Sequence, residues 1–335
     1  MSPPCAFSGS SAVLAIVAVA AAMPAMASTD DIVLDTAEAE AALAILQRLD
    51  AREPVDDALW ARLFASDGYV RLKAREASMK RDFTDDDFRA FLRQPATVER
   101  TARLARTLEA WRRADLAGAV RRVRAYLPAG ATIRTRIYPV IKPKPNSFVF
   151  SGDGGVPAIF LFLDPDLPAV RFENTVAHEL HHIGMTCIDG LDGALVDLAR
   201  FNEGLAMLAA AGGPDVHPHA ASTPEDRARW DRDVARAKDD VAQVAAYLAQ
   251  VAEGTLTGEA RQSAAFAFYG EQGPWYTVGY VMASAIERAF GRARLIECFC
   301  DTRLLLPSYE AAAEKLGDPA LPRWPAGLVA KLRGP

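Results

Sequence analysis

All five histidines of the chain fall between positions 178 and 219, and three stand in Thr175-Val176-Ala177-His178-Glu179-Leu180-His181-His182-Ile183-Gly184. On a helix, residues four apart differ by about 40° in azimuth, so His178 and His182 project from one face toward a shared point that a metal can occupy. Glu179 lies about 100° round from His178, beside that point, where its carboxylate can take a proton from a water. Neutral imidazoles suit this chemistry because they bind a borderline-soft dication without cancelling its charge. Zinc held in this way stays acidic enough to bring the pKa of water toward about 7. The pattern points to metal-assisted hydrolysis.

A catalytic zinc takes a third protein ligand. The metzincin continuation, Gly three residues after the second His and another His three beyond that, is excluded because those positions hold Met185 and Ile188. The next candidate is Glu203 in Phe201-Asn202-Glu203-Gly204-Leu205-Ala206. It follows His182 by 21 positions, enough for a loop around Asp189-Gly190-Leu191-Asp192-Gly193 and a second, antiparallel helix that returns a carboxylate to the metal. His181 then reads as a packed or supporting residue, since the His178/His182 pairing is the one that leaves Glu179 correctly placed. Asp189, Asp192 and Asp197 are each candidates to accept the second N–H of a ligating imidazole. His217-Pro218-His219 reads as a solvated loop in preference to a second metal site or a substrate rim, because no further ligand cluster accompanies it.

The elements around these residues follow from periodicity. From Thr36 to Leu127 apolar residues recur three and four apart, as in Leu104, Leu108, Trp111 and Leu116, which predicts helices. Thr84 with Asp87 forms a capping box, and Thr223-Pro224-Glu225-Asp226 opens another helix. Between them, Ile133 to Ile141, Phe148 to Phe150 and Ala158 to Leu163 are β-branched and aromatic. With a turn at Ser151-Gly152-Asp153-Gly154-Gly155 they predict a small antiparallel meander, with Ala158–Leu163 as buried sheet, as an edge able to pair with an extended peptide, or as both. Trp230, Val234, Ala237, Val241, Val244, Leu248 and Val251 predict one helix with a narrow seam for intramolecular packing. The expected architecture is α+β and mostly helical. A helical region over 28–130 precedes a catalytic region over 131–335, with strands in 131–165 and metal-bearing helices at about 169–212.

His-Glu-x-x-His followed after about twenty residues by Asn-Glu-Gly-x-Ala resembles the gluzincin zinc peptidases, the class that includes thermolysin and the zinc aminopeptidases. With Gly273-Pro274-Trp275-Tyr276-Thr277-Val278-Gly279-Tyr280 and Trp60…Gly68-Tyr69…Arg75-Glu76, the chain is similar to a narrower family of zinc-dependent peptidases of unassigned substrate. The likeness is specific over Thr175 to Ala206 and looser from Trp60 to Trp324. It implies a zincin-like fold, Zn2+ held by His178, His182 and Glu203, Glu179 as general base, and a peptide or protein substrate. Related families place a Tyr or His on a later helix as oxyanion donor, which here favours Tyr276, with Tyr280 as a core position. The aminopeptidases' Gly-x-Met-Glu-Asn motif is absent, so recognition of a free N-terminus is not implied.

Composition bounds the rest. The chain has 335 residues, is 50% hydrophobic and 24% charged, and carries 38 basic against 43 acidic side chains. This is a globular balance, and without a dense Lys/Arg cluster it gives no footprint for nucleic acid. Residues 1–27 carry no charge; Ser11 to Ala22 form an apolar run, Pro24 breaks it, and Ala25-Met26-Ala27 supplies a cleavage pattern. They read as a signal peptide, with export to a periplasmic or extracellular space and no stable membrane insertion after cleavage. Cleavage removes Cys5 and leaves Cys187, Cys298 and Cys300, which read either as buried thiols or as one disulfide of Cys187 with Cys298 or Cys300 and a free third thiol. Two other functional classes fit these features: an exported zinc-binding or partner-binding protein without turnover, and a membrane-anchored helical scaffold using the Trp230–Val251 seam. N-terminal analysis of the exported protein should find Ser28 as its first residue; a retained Met1 would support the anchored scaffold.

Overall fold

The computed structural model describes residues 30–152, 155–188 and 193–333; the segment read as a signal peptide, Asp189 and Asp192 lie outside them. Local capping chemistry sets several helix starts. Thr84 accepts from the Asp87 N–H while Asp87 accepts from the Thr84 N–H, heading the helix Asp85–Leu92. Thr223 caps Pro224–Ala235, with Pro224 in the first turn, where its missing N–H costs nothing. The predicted single helix from Trp230 to Val251 is instead two, Pro224–Ala235 and Ala237–Ala252, broken at Arg236. Val241, Val244, Leu248 and Val251 are buried in the common core, so the seam is intramolecular. Among the described residues no helix is long and apolar enough to cross a membrane.

Four strands form one sheet: β1 (Asp31–Leu34), β2 (Arg134–Val140), β3 (Phe148–Phe150) and β4 (Ala158–Phe162), in the order β1-β2-β4-β3. The architecture is α+β, mostly helical, but the sheet is mixed rather than an antiparallel meander. β1 and β4 both run parallel to β2, and only β3 and β4 are antiparallel. The reason lies in the connections. Pro143 and Pro145 keep the chain after β2 from a tight hairpin, so it passes to the outer edge as β3. It then turns at Gly152, whose φ of +63° suits glycine, and returns as β4 between the two. The expectation that β4 is an edge strand is therefore corrected: its backbone is paired on both sides, and β3 holds the edge.

Successive residues of β2 face opposite layers. Ile137 packs into the large helical core with Ile159 and Leu161, whereas Tyr138 and Val140 join Leu72, Ala158 and Phe160 in a smaller cluster on the other face. The large core carries the helix with the histidines, anchored by Phe172 stacked on Trp111 at 4.4 Å. Beyond the end of β1 the strand partner of β2 is replaced by a side chain. Fully buried Glu38 accepts the Ile141 N–H at 3.1 Å through Oε2, and its Oε1 has no hydrogen-bond partner among the described residues.

Burial pushes the Glu38 carboxyl up to about 8, and the Ile141 N–H offsets this only in part. Between the ordinary value of 4.5 and about 8 the folded protein keeps a proton that the unfolded chain releases. Stability from this group therefore falls as pH rises through that window. Glu38→Gln should remove the dependence: its melting temperature should exceed the wild type's at pH 8 and converge with it below pH 4.5. Parallel thermal-unfolding curves across pH would contradict this.

Candidate metal centre and active site

Three helices build the site. The motif helix, Ala169–Gly184, turns Val176, Ala177, Leu180 and His181 into the core, which leaves His178 and His182 on its open face. It ends at Met185, and the following turn, Thr186–Ile188, is tied by the Cys187–Cys300 disulfide, one of the two expected pairings; Cys298 is a buried free thiol. The glutamate helix, Asn202–Ala211, places Glu203 in its first turn. The tyrosine helix, Pro274–Phe290, starts with buried Trp275, whose Nε1–H donates to the Ala265 carbonyl at 2.8 Å, and so fixes Tyr276 beside it.

The last two helices meet backbone to backbone. A Cβ on Gly204 would fall on the main chain of Gly279 and Tyr280, and one on Gly279 would come within 2.6 Å of the Phe201 carbonyl oxygen. These obstacles are main chain and cannot rotate away. The glycines of the two sequence motifs thus set the distance between the element bearing Glu203 and the one bearing Tyr276.

His178, His182 and Glu203, far apart in sequence, converge. His178 Nε2 and His182 Nε2 lie 3.0 Å apart, and Glu203 Oε2 lies 3.2 and 3.1 Å from them. Donors bound to one zinc at about 2.0–2.2 Å with near-tetrahedral angles stand roughly 3.3–3.6 Å apart, so the triangle needs only a few tenths of an ångström of relaxation. Two imidazoles and one carboxylate are also the donor set of a catalytic zinc with a position left open. The residues fit the group.

The electrostatics agree. Burial works against charge on Glu203, yet the two imidazoles outweigh it and hold the carboxyl well below its usual range. Burial likewise opposes a charged His182, but Glu203 and then Glu179 overcome it and raise the imidazole. Three electron-rich atoms at this spacing hold a cation, a proton or a metal, and the two compete. Glu179 is half-buried on the motif helix, close enough for its charge to act on both His182 and Tyr276.

Asn202, adjacent to Glu203, reaches His182 Nδ1 at 3.1 Å through its side-chain amide. With Nε2 on a metal, Nδ1 carries the hydrogen, so the amide should present its oxygen there; that oxygen is otherwise buried without a partner. In the sequence Asn202 stands out only as a letter of the Asn-Glu-Gly motif. Asp197, one of three candidates for this role, is elsewhere engaged: Tyr247 OH donates to it at 2.7 Å, and the Nε–H groups of Arg200 and Arg261 each at 2.8 Å. His181 is fully buried and packed, and burial followed by the neighbouring imidazoles drives its pKa well down.

Tyr276 faces the cluster, its ring stacked with that of His178 at 6.2 Å. Burial first, then Glu203 and Glu179, push its phenol far above the ordinary value, so it remains a donor. Tyr280 packs edge-on against Trp230 at 5.4 Å and is partly buried at the margin of the core. A cavity of about 260 Å3 opens between His178 and Tyr276, with Met207, Gln272 and His219 on its walls. This corrects the solvated-loop reading of His217-Pro218-His219. His219 is only 8% exposed, packs on Trp230 and contacts Gln272 and Ser222 at 3.0 Å, while His217 pairs with Asp231.

An α+β chain whose helices converge two imidazoles and a carboxylate has the site of a mononuclear metalloprotein. It belongs to the DUF5700 family, described as "putative zinc dependent peptidase", whose family model matches residues 60–318. At that level its metal is zinc and its substrate a peptide or protein. Neither the curated proteins nor the solved structures compared with the chain gave a match.

Because the glycine contact seats the glutamate helix on the tyrosine helix, Gly204→Ala or Gly279→Ala should cost about 1–3 kcal/mol or more and, by shifting Glu203 away from the histidines, lower zinc stoichiometry. Gly327→Ala, with nothing within 4 Å of the added carbon, should leave both intact. Thermal unfolding and metal analysis of the three variants check this.

Proposed function

We propose that the protein is an exported, gluzincin-like zinc metallopeptidase acting in a periplasmic or extracellular space. The observation that carries the reading is the 3.0–3.2 Å triangle of His178, His182 and Glu203 with Glu179 on the adjoining turn. The charge-free N-terminal 27 residues and the Cys187–Cys300 disulfide support export, since such bonds persist in oxidising compartments. The zincin-like assignment rests on the motif and on the sheet lying directly before the motif helix. No nucleic-acid partner and no lasting membrane insertion are part of the proposal.

When bound, zinc supplies Lewis acidity to the scissile carbonyl and to the attacking water. His178, His182 and Glu203 hold it, with Asn202 fixing the His182 ring. Glu179 takes the proton of the attacking water and passes it to the departing amine. Tyr276, kept protonated by its surroundings, donates to the oxygen that develops negative charge. The cavity between His178 and Tyr276 holds substrate on one side of that point.

A mixed peptide library digested by zinc-loaded protein and read by mass spectrometry tests this. Glu179→Gln should lower kcat by about 10²–10⁴ with zinc stoichiometry retained, and Tyr276→Phe should lower it by about 10²–10³. Undiminished cleavage by Glu179→Gln, or none by the stoichiometrically loaded wild type, would overturn it.

A further inference from the structure

On the other side of the ligand cluster, a second and more open pocket of about 250 Å3 is lined by His182, Glu203, Arg200 and Tyr269. Fully buried Asp197 is the shared carboxylate of two guanidinium groups, Arg200 and Arg261, while the carboxylate of Glu203 on the same pocket is turned to the two histidines. Arg261 directs its Nη2 to the Gly193 carbonyl at 2.6 Å. Arg200 gives Nε to Asp197 and Nη1 to the Tyr269 oxygen at 3.3 Å, and its Nη2 has no hydrogen-bond partner among the described residues. Because Tyr269 accepts from Arg200, its own hydroxyl hydrogen is free to donate. The Arg200 side chain is 27% exposed, so solvent or a ligand reaches it.

We propose that Arg200 and Tyr269 form a carboxylate-binding subsite that anchors an anionic group of the substrate on the His182 side of the metal. The proposal rests on the peptidase reading above and names the substrate class it omits. The Nη2–H groups of Arg200 and the Tyr269 hydroxyl together can donate to the two oxygens of a carboxylate, and such charge-assisted bonds are about twice as strong as neutral hydrogen bonds. Asp197 holds the guanidinium in one orientation, so little side-chain freedom is lost on binding. The carboxylate has two possible sources: the free C-terminus of a short peptide, or an Asp or Glu side chain following the scissile bond. In either case the chain direction is set, with the acyl portion toward His178 and Tyr276.

Two matched peptide series separate the sources, one with free against amidated C-termini and one with Asp or Glu against Asn or Gln after the cleaved bond. In one of them the carboxylate-bearing member should show a kcat/KM at least about tenfold higher, carried by KM. Arg200→Gln should bring that ratio to about one, and Arg200→Lys, which keeps the charge but not the fork, should restore part of it. Dissociation constants of the same pairs, measured by calorimetry on zinc-loaded Glu179→Gln with and without Arg200→Gln, give a readout free of turnover. Equal cleavage and equal binding of every pair would overturn the subsite while leaving the peptidase reading intact. An Arg200→Gln effect that lowers both members of each pair alike would also overturn it, as a structural role. Absence of cleavage by the wild type, with acid still bound more tightly through Arg200, would support the subsite and count against the peptidase reading.

Discussion

The site depends on one contact that contains no functional group, the crossing of the glutamate and tyrosine helices at Gly204 and Gly279. Helix axes usually stand about 8–10 Å apart, a distance set by the side chains between them. Where both contributors are glycine, the backbones themselves touch. That approach lets Glu203, one residue before Gly204, and Tyr276, three before Gly279, face the same histidines across a narrow gap. A methyl group at either position would widen it through atoms that cannot rotate aside.

Around that contact, charge is arranged in two layers with different roles. The inner layer is incomplete by design: two imidazoles and a carboxylate within 3.2 Å of one another are mutually repulsive or proton-bridged until a cation joins them. The outer layer consists of hydrogen bonds already made. Asp197 is closed by Tyr247, Arg200 and Arg261, and Asn202 spans from the glutamate helix to His182. Rigid outer pairs keep the inner donors at bonding distance without satisfying them, which is how a protein holds a metal site open to metal.

Chemistry with short-range spacing was legible in the sequence. His178, Glu179 and His182 sit on one helical turn, so their geometry follows from 3.6 residues per turn. Glu203 and Tyr276 were legible through motif and helix starts, and both face the histidines. What was not legible depended on long-range packing. The β2–β4 pairing is parallel because prolines after β2 send the chain past its neighbour, which alternation cannot reveal, and β1, only four residues long, gave no periodic signal. His219 looked solvated because nothing local shows that Trp230 and Gln272 cover it. Asn202 and Arg200 stood beside Glu203 in the sequence, but only the fold shows which atoms they reach.

X-ray absorption at the zinc edge of the purified protein reads the donor set itself. Two imidazole nitrogens and two oxygens are expected at about 2.0–2.2 Å, one oxygen from Glu203 and one exchangeable, with His178→Ala or Glu203→Ala removing one protein donor. A sulfur in the first shell, or four protein donors with no exchangeable position, would contradict it.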